Sequence, residues 1–241
     1  MPRATQNTGT DKGMKVSYSI VDLYFRYVLP GERVYRALRI PKWVWPEAIV
    51  FTGFFFSCLA GLSFSCAVTS AWGGALAALF VYGNLIADHM DGRHARATNQ
   101  CTNGGEILDH FFDPLSFSVI TIGIAYAVGR LDLALLTVLG IYGNVSTVFQ
   151  EAKITGTLAL KTVGPAEARI LFMTFGLVTS YLQHAYGQDY AASFVTSFLV
   201  FTGVLTLGQM SVELFRTVRR VNREGPPPDC SPWKVGNQHA E

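Results

Sequence analysis

Two short stretches concentrate the side chains that could do chemistry. One reads Asp88-His89-Met90-Asp91-Gly92-Arg93-His94-Ala95-Arg96, the other Gly105-Glu106-Ile107-Leu108-Asp109-His110-Phe111-Phe112-Asp113. Asp88 and Asp91 stand at i,i+3 and Asp109 and Asp113 at i,i+4, so each pair shares one face of a helix. The connecting loop is short, which predicts antiparallel neighbouring helices whose carboxylate pairs face each other. Four carboxylates that close cannot all stay ionised without compensation. Protons, arginine partners or divalent cations would each relieve them. Oxygen-only ligands favour hard ions such as Mg²⁺, Mn²⁺ or Ca²⁺, and two such ions about 4 Å apart can clamp a phosphoryl group in transfer. Gly92, Ala95 and Gly105 lack bulk, so a ligand or a neighbouring backbone can approach closely. Arg96 can offer a forked donor to phosphate. Helix capping by Asp109 or pairing of Asp91 with Arg96 would account for one or two of the acids, not for four.

The elements that must hold these residues are apolar. Half of the 241 residues are hydrophobic and 15% are charged, against about 25% charged in ordinary soluble domains. The net charge of +2 is too small for a strongly basic surface, so no nucleic-acid partner is expected. Four scattered cysteines show neither metal-ligand spacing nor a disulfide framework. No Asp, Glu, Lys or Arg occurs between Glu47 and Asp88, room for two helices of about 20 residues each. Six charge-poor segments follow this logic, at 48–66, 70–87, 111–128, 133–149, 170–186 and 190–212. With six spans, 18 of the 19 Lys and Arg residues fall on one side and only Arg130 on the other. Positive loops stay cytoplasmic, which predicts both termini and the acidic loop on that side.

Ile20, Leu23, Tyr24, Tyr27 and Val28 recur at helical spacing, as do Val34, Tyr35 and Leu38 among Arg33, Arg36 and Arg39. That pattern predicts amphipathic helices on the membrane surface, broken at Pro30-Gly31. The expected fold is therefore an all-α integral membrane protein. Six transmembrane helices follow an amphipathic juxtamembrane helix. The expected organisation is a disordered N-terminus (1–15), the juxtamembrane segment (16–46), a six-helix catalytic membrane domain (47–215) and a cytoplasmic tail (216–241).

The acidic stretches carry a resemblance. The pattern D-x-x-D-G-x-x-A-R-(x8)-G-x-x-x-D-x-x-x-D is met at Asp88, Asp91, Gly92, Ala95, Arg96, Gly105, Asp109 and Asp113. A chance match is on the order of one in ten million per chain at ordinary residue usage. The pattern is the signature of the CDP-alcohol phosphotransferase family, which this chain resembles. The resemblance implies a multi-pass membrane enzyme, usually a homodimer. It implies a CDP-linked donor whose β-phosphate is attacked by an alcohol hydroxyl, with release of CMP, in phospholipid synthesis. Carried over, Asp88, Asp91, Asp109 and Asp113 hold two divalent ions, Mg²⁺ or Mn²⁺. Asp88, Gly92, Ala95, Arg96 and Gly105 border the nucleotide and its phosphates. Asp113 is the general base, with His110 the other candidate for that role.

The local resemblance leans toward the choline/ethanolamine phosphotransferases, in which a soluble CDP-alcohol donates its head group to a lipid hydroxyl such as diacylglycerol. The runs 91–99, 105–110 and Thr155-Gly156-Thr157-Leu158 with Glu167 carry it, and Glu106 and Glu167 are marked as possible substrate contacts. The alternative is a CDP-diacylglycerol donor with a small polar alcohol such as inositol phosphate, glycerol phosphate or serine. Gly164-Pro165-Ala166-Glu167-Ala168-Arg169 resembles bacterial members of that class. Phe111-Phe112 replaces the Gly-Cys of the first class, and Pro114 follows the last Asp, where it would remove a helix hydrogen bond. His89 and His94 are read as interfacial or phosphate-adjacent, His184 as packing, and Glu151, Lys153 and Lys161 as loop charges. Membrane lipids are expected partners, and a bacterial inner membrane the expected location. A cation channel or transporter is the reading of another class, since rings of Asp select cations, but all four acids lie at one end of two spans.

Overall fold

A computed structural model describes residues 31–155 and 165–225. Among these every regular element is a helix. The order is α1 (Gly31–Leu38), α2 (Pro46–Ser65), α3 (Ala71–Thr98), α4 (Asn103–Ala127), α5 (Leu131–Thr155), α6 (Pro165–Tyr186) and α7 (Gln188–Glu224). The expectations for 1–15, for the first part of the juxtamembrane segment, for Thr157, Leu158 and Lys161, and for the end of the tail lie outside the described residues.

Local chemistry fixes the ends of the helices that carry the acids. Pro46 opens α2 in its first turn, followed by Glu47, a proline and an acid where the helix dipole favours both. The Ser70 side chain caps α3 by accepting from the Trp72 amide at 3.4 Å. Asn99 ends α3 with φ at 60°, a left-handed conformation that asparagine tolerates. Thr102 then caps α4, accepting from the Gly105 amide at 2.9 Å and donating to Glu47 Oε1 at 3.1 Å. The chain thus reverses between the two acidic stretches in four residues, and the same threonine ties the start of α4 to the start of α2.

The bundle packs on α2. Both α3 and α4 lie against it, α6 lies against α3, and α5 packs on α7 and α4. Glycines allow the closest approaches. The Gly61 carbonyl sits where a Cβ on Gly123 would be, at the α2–α4 crossing, and Gly74 and Gly176 meet backbone to backbone where α3 crosses α6. Small residues at such crossings are the usual device of membrane helices. The core away from the acidic end is aromatic and aliphatic. It includes Phe64, Phe117, Phe172, Phe175, Val195 and Leu199, with Phe175 and Phe198 stacked at 3.9 Å between ring centroids.

Three expectations need correction. Six spans do not emerge. Four described helices are long and apolar enough to cross a membrane: α2, α4, α5 and α7. The segments in α3 and α6 fall short because freedom from charge is not apolarity. Gly73, Gly74, Gly83 and Asn84 dilute α3, and Thr174, Thr179, Ser180, Gln183 and His184 dilute α6. The surface-lying helix is corrected too. Only its α1 part is described, and Val34 and Tyr35 turn inward onto Ile49, Ala87 and Met90. Finally, α3 and α4 scarcely touch. A short loop brings their ends together, but α2 lies between their shafts. The last helix continues through the basic residues 216–223 to Glu224.

Candidate active site

Asp88 and Asp91 project from the last turns of α3, Asp109 and Asp113 from the first turns of α4. All four line one pocket, together with Val50, Gly53 and Phe54 of α2, Asn84, Phe112, Ser116 and Arg169. One carboxylate oxygen each of Asp88, Asp109 and Asp113 lie within 4.8 Å of one another. Gly53 matters here: a Cβ on it would sit 3.2 Å from the Ala87 Cβ and 3.4 Å from Asn84 Nδ2. Its missing side chain lets the acidic end of α3 settle on α2. The pocket's free space is about 10 Å³, room for an ion or one water rather than a larger group.

Arg169 of α6 supplies positive charge to this cluster. Its side chain is 1% exposed. Nη2 donates to Asp88 Oδ1 at 2.8 Å and to Asp113 Oδ1 at 2.5 Å. Nε donates to Asn84 Oδ1 at 2.6 Å, and Asn84 Nδ2 donates to the Gly53 carbonyl at 2.9 Å. The guanidinium also lies 5.3 Å from the centroid of the Phe117 ring, a cation–π distance. From sequence alone Arg169 is one of the basic residues outside the charge-poor segments and the last residue of the resembling run 164–169. Its place in the first turns of α6, two residues after Glu167, does not by itself distinguish it from the other basic residues.

One arginine does not balance four acids. Asp91 accepts from the Gly92 amide through Oδ1, while its Oδ2 is buried without a hydrogen-bond partner. Burial first, then the charge of Asp109, push Asp91 up to about 7; it lies beyond the apolar part of α3. Arg169 Nη1 is likewise buried without a partner. Buried groups of this kind are costly unless something satisfies them. An orphan acceptor and an orphan donor line the same pocket, and a divalent cation with an anionic ligand would satisfy both. The donor set therefore fits a hard cation held by carboxylates.

The other expected residues fall around this centre. Gly92 lies one turn before the exposed Arg96, whose guanidinium Nη1 would sit 3.2 Å from a Cβ at Gly92. Ala95 is half-buried and Gly105 packs under Thr102 Oγ1 and Glu47 Oε1. Glu106 is exposed and Glu167 half-buried, and neither lines the pocket. The His110 ring stands edge-on to Phe149 of α5, 6.1 Å between centroids, and does not line the pocket. His94 is fully buried. Its Nδ1 lies 2.9 Å from the Tyr35 hydroxyl and its Nε2 2.9 Å from the Val44 carbonyl, so it clamps the segment before α2 onto α3. Pro114 lacks the amide that would bond the His110 carbonyl, yet α4 runs unbroken through it. Glu151 is a buried staple of α5 to α7, accepting from Thr217 Oγ1 at 2.9 Å and Arg220 Nη1 at 2.6 Å.

The family model described as CDP-alcohol phosphatidyltransferase matches residues 43–210, most of the chain and all of the pocket. The chain belongs to the CDP-alcohol phosphatidyltransferase family. Among its curated relatives is cholinephosphotransferase 1 of Gallus gallus, 34% identical over 98 residues, 37% of this chain and 29% of that protein. The Bos taurus protein of the same name is 31% identical over 134 residues, 52% of this chain and 30% of its own length. The Rattus norvegicus protein is 37% identical over 97 residues, 37% and 24% of the two chains. The matches thus span less than a third of each relative. Membership in this transferase family favours group-transfer chemistry over the cation pathway.

Proposed function

We propose that this chain transfers a substituted phosphate from a CDP-linked donor to an alcohol hydroxyl and releases CMP. The observation that carries this reading is the pocket itself, where four family aspartates converge with an unpartnered acceptor at Asp91 and an unpartnered donor at Arg169. In this reading Asp88, Asp91, Asp109 and Asp113 hold two divalent ions, Mg²⁺ or Mn²⁺; the pocket's own space suits one of them, so the second belongs at its mouth with the diphosphate. Ions held by these carboxylates would supply charge neutralisation for the diphosphate and for CMP as it leaves. Because the pocket is small, the diphosphate binds at its mouth. In this reading Gly92, Ala95, Gly105 and the exposed Arg96 border the diphosphate there.

Asp113 is the base in this reading. It lines the pocket, whereas His110 faces Phe149. The acceptor hydroxyl gives its proton to Asp113 as its oxygen bonds to the β-phosphorus, and the bond from that phosphorus to the CMP oxygen breaks. Glu106 and Glu167, which lie outside the pocket, are assigned in this reading to contact with substrate beyond it. The donor is of the CDP-choline or CDP-ethanolamine type and the acceptor a lipid hydroxyl such as diacylglycerol. The names of the relatives and the run 91–99 support this choice. A CDP-diacylglycerol donor with a small polar alcohol is the second reading, favoured by Pro165-Ala166-Glu167-Ala168-Arg169. The pocket faces the cytoplasm in this account, supported by the basic residues Arg93, Arg96 and Arg216–Arg223 near helix ends. A homodimer belongs to the same reading.

The test is CMP release by purified protein in lipid, with CDP-choline, CDP-ethanolamine and CDP-diacylglycerol supplied in turn with Mg²⁺ or Mn²⁺. CMP from a soluble CDP-alcohol with diacylglycerol supports the first reading. CMP from CDP-diacylglycerol alone selects the second. CMP from none of the three, in folded protein, overturns both.

A further inference from the structure

Arg169 does more than neutralise. Its one Nη2 group joins Asp88 of α3 to Asp113 of α4, two helices that scarcely touch. Its plane is held by Asn84 through Nε, with Asn84 itself tied to the Gly53 carbonyl, and by the Phe117 ring. Only Nη1 is left over, buried and unpartnered. A planar fork can serve these directions at once, and a lysine ammonium on a flexible stem cannot. The guanidinium also occupies oxygens of two carboxylates that the reading above assigns to metal.

We propose that Arg169 is a positioning residue and internal counter-cation: it sets the register of Asp88 and Asp113, and it competes with the divalent ions for the same carboxylates. The two effects pull in opposite directions. Removing the guanidinium takes away a positive charge that repels the incoming ion, so metal binds more tightly. It also frees the two aspartates to drift, so turnover falls. A residue that merely held the fold together would weaken both properties, and a bystander would change neither. The inference rests on the proposed function for its turnover readout and stands without it for its metal readout.

The experiment titrates Mn²⁺ into metal-free protein in nanodiscs, followed by electron paramagnetic resonance, alongside CMP release. Arg169→Met is expected to tighten Mn²⁺ binding at least about tenfold, since a unit charge repels a divalent ion by that much even in high dielectric. Its turnover is expected to fall about 100-fold, the scale of an ångström misplacement. Arg169→Lys keeps the charge and loses the fork, so Mn²⁺ affinity stays within about threefold of the unaltered protein while turnover falls. Should Arg169→Met fail to fold, Arg169→Lys and Asn84→Ala carry the test: both should slow turnover with Mn²⁺ affinity nearly unchanged. Weaker Mn²⁺ binding in folded Arg169→Met, or full turnover in Arg169→Lys, overturns the proposal. If the unaltered protein releases no CMP, the functional reading fails, and the Mn²⁺ titration of Arg169→Met alone decides the role of Arg169.

Discussion

Two arginine–aspartate contacts of equal length sit in different parts of this protein. Arg130 meets Asp132 at 2.8 Å with side chains 45% and 62% exposed, and Arg169 meets Asp88 at 2.8 Å with 1% and 24% exposed. The first is a bidentate pair within one turn, with two bonds of 2.9 and 2.8 Å. The second joins helices distant in sequence and shares its donor with Asp113. Geometry alone would rank the exposed pair higher. Burial reverses the order, because exposed pairs gain little over water, while a buried charge that loses its partner is left uncompensated. The lesson is that the polar end of the bundle is held by few, costly, interdependent contacts, whereas the aromatic core around Phe64 and Phe175 is held by many replaceable ones.

Substitutions can break that contrast or sharpen it. Asp91→Asn removes the carboxylate whose Oδ2 is buried without a partner. It should lower CMP release by a factor on the order of 1,000 or more, if ligand loss removes most of the electrostatic stabilisation, with little change in the metal-free melting temperature. Arg169→Met should destabilise the metal-free protein by about 3–5 kcal/mol, the range for orphaning buried charge. Mn²⁺ should recover part of that loss in the same melting experiment, because the ion replaces the missing cation. Arg220→Met breaks the bond to buried Glu151, but Arg220 is 42% exposed, so a melt should show only about 1 kcal/mol. Asp132→Ala should leave the melting temperature unchanged.

The same contrast explains what could be read from sequence. The quartet was legible because spacings of three and four residues put side chains on one helix face wherever the helix goes. The short reversal between Asn99 and Thr102 was legible too, since both are residues that end or start helices. The helix count was not. Segments 70–87 and 170–186 lack charge, but glycines, an asparagine, a glutamine and hydroxyls lower their hydropathy below that of the spanning helices, and freedom from charge does not register that dilution. The packing of α3 beside α4 was misread because a short loop fixes the ends of two helices and not their shafts. Arg169 lies 81 residues from Asp88; nothing local in a run of loop charges marks the one that turns inward. His94 was hidden for a similar reason, since its partners Tyr35 and Val44 precede α2.

The most direct measurement is anomalous diffraction from crystals soaked in Mn²⁺. The account predicts anomalous peaks within about 2.1 Å of carboxylate oxygens of the Asp88, Asp91, Asp109 and Asp113 cluster, one of them at Asp91 Oδ2. A pocket without anomalous density at saturating Mn²⁺, its acids still held by Arg169 alone, would contradict it.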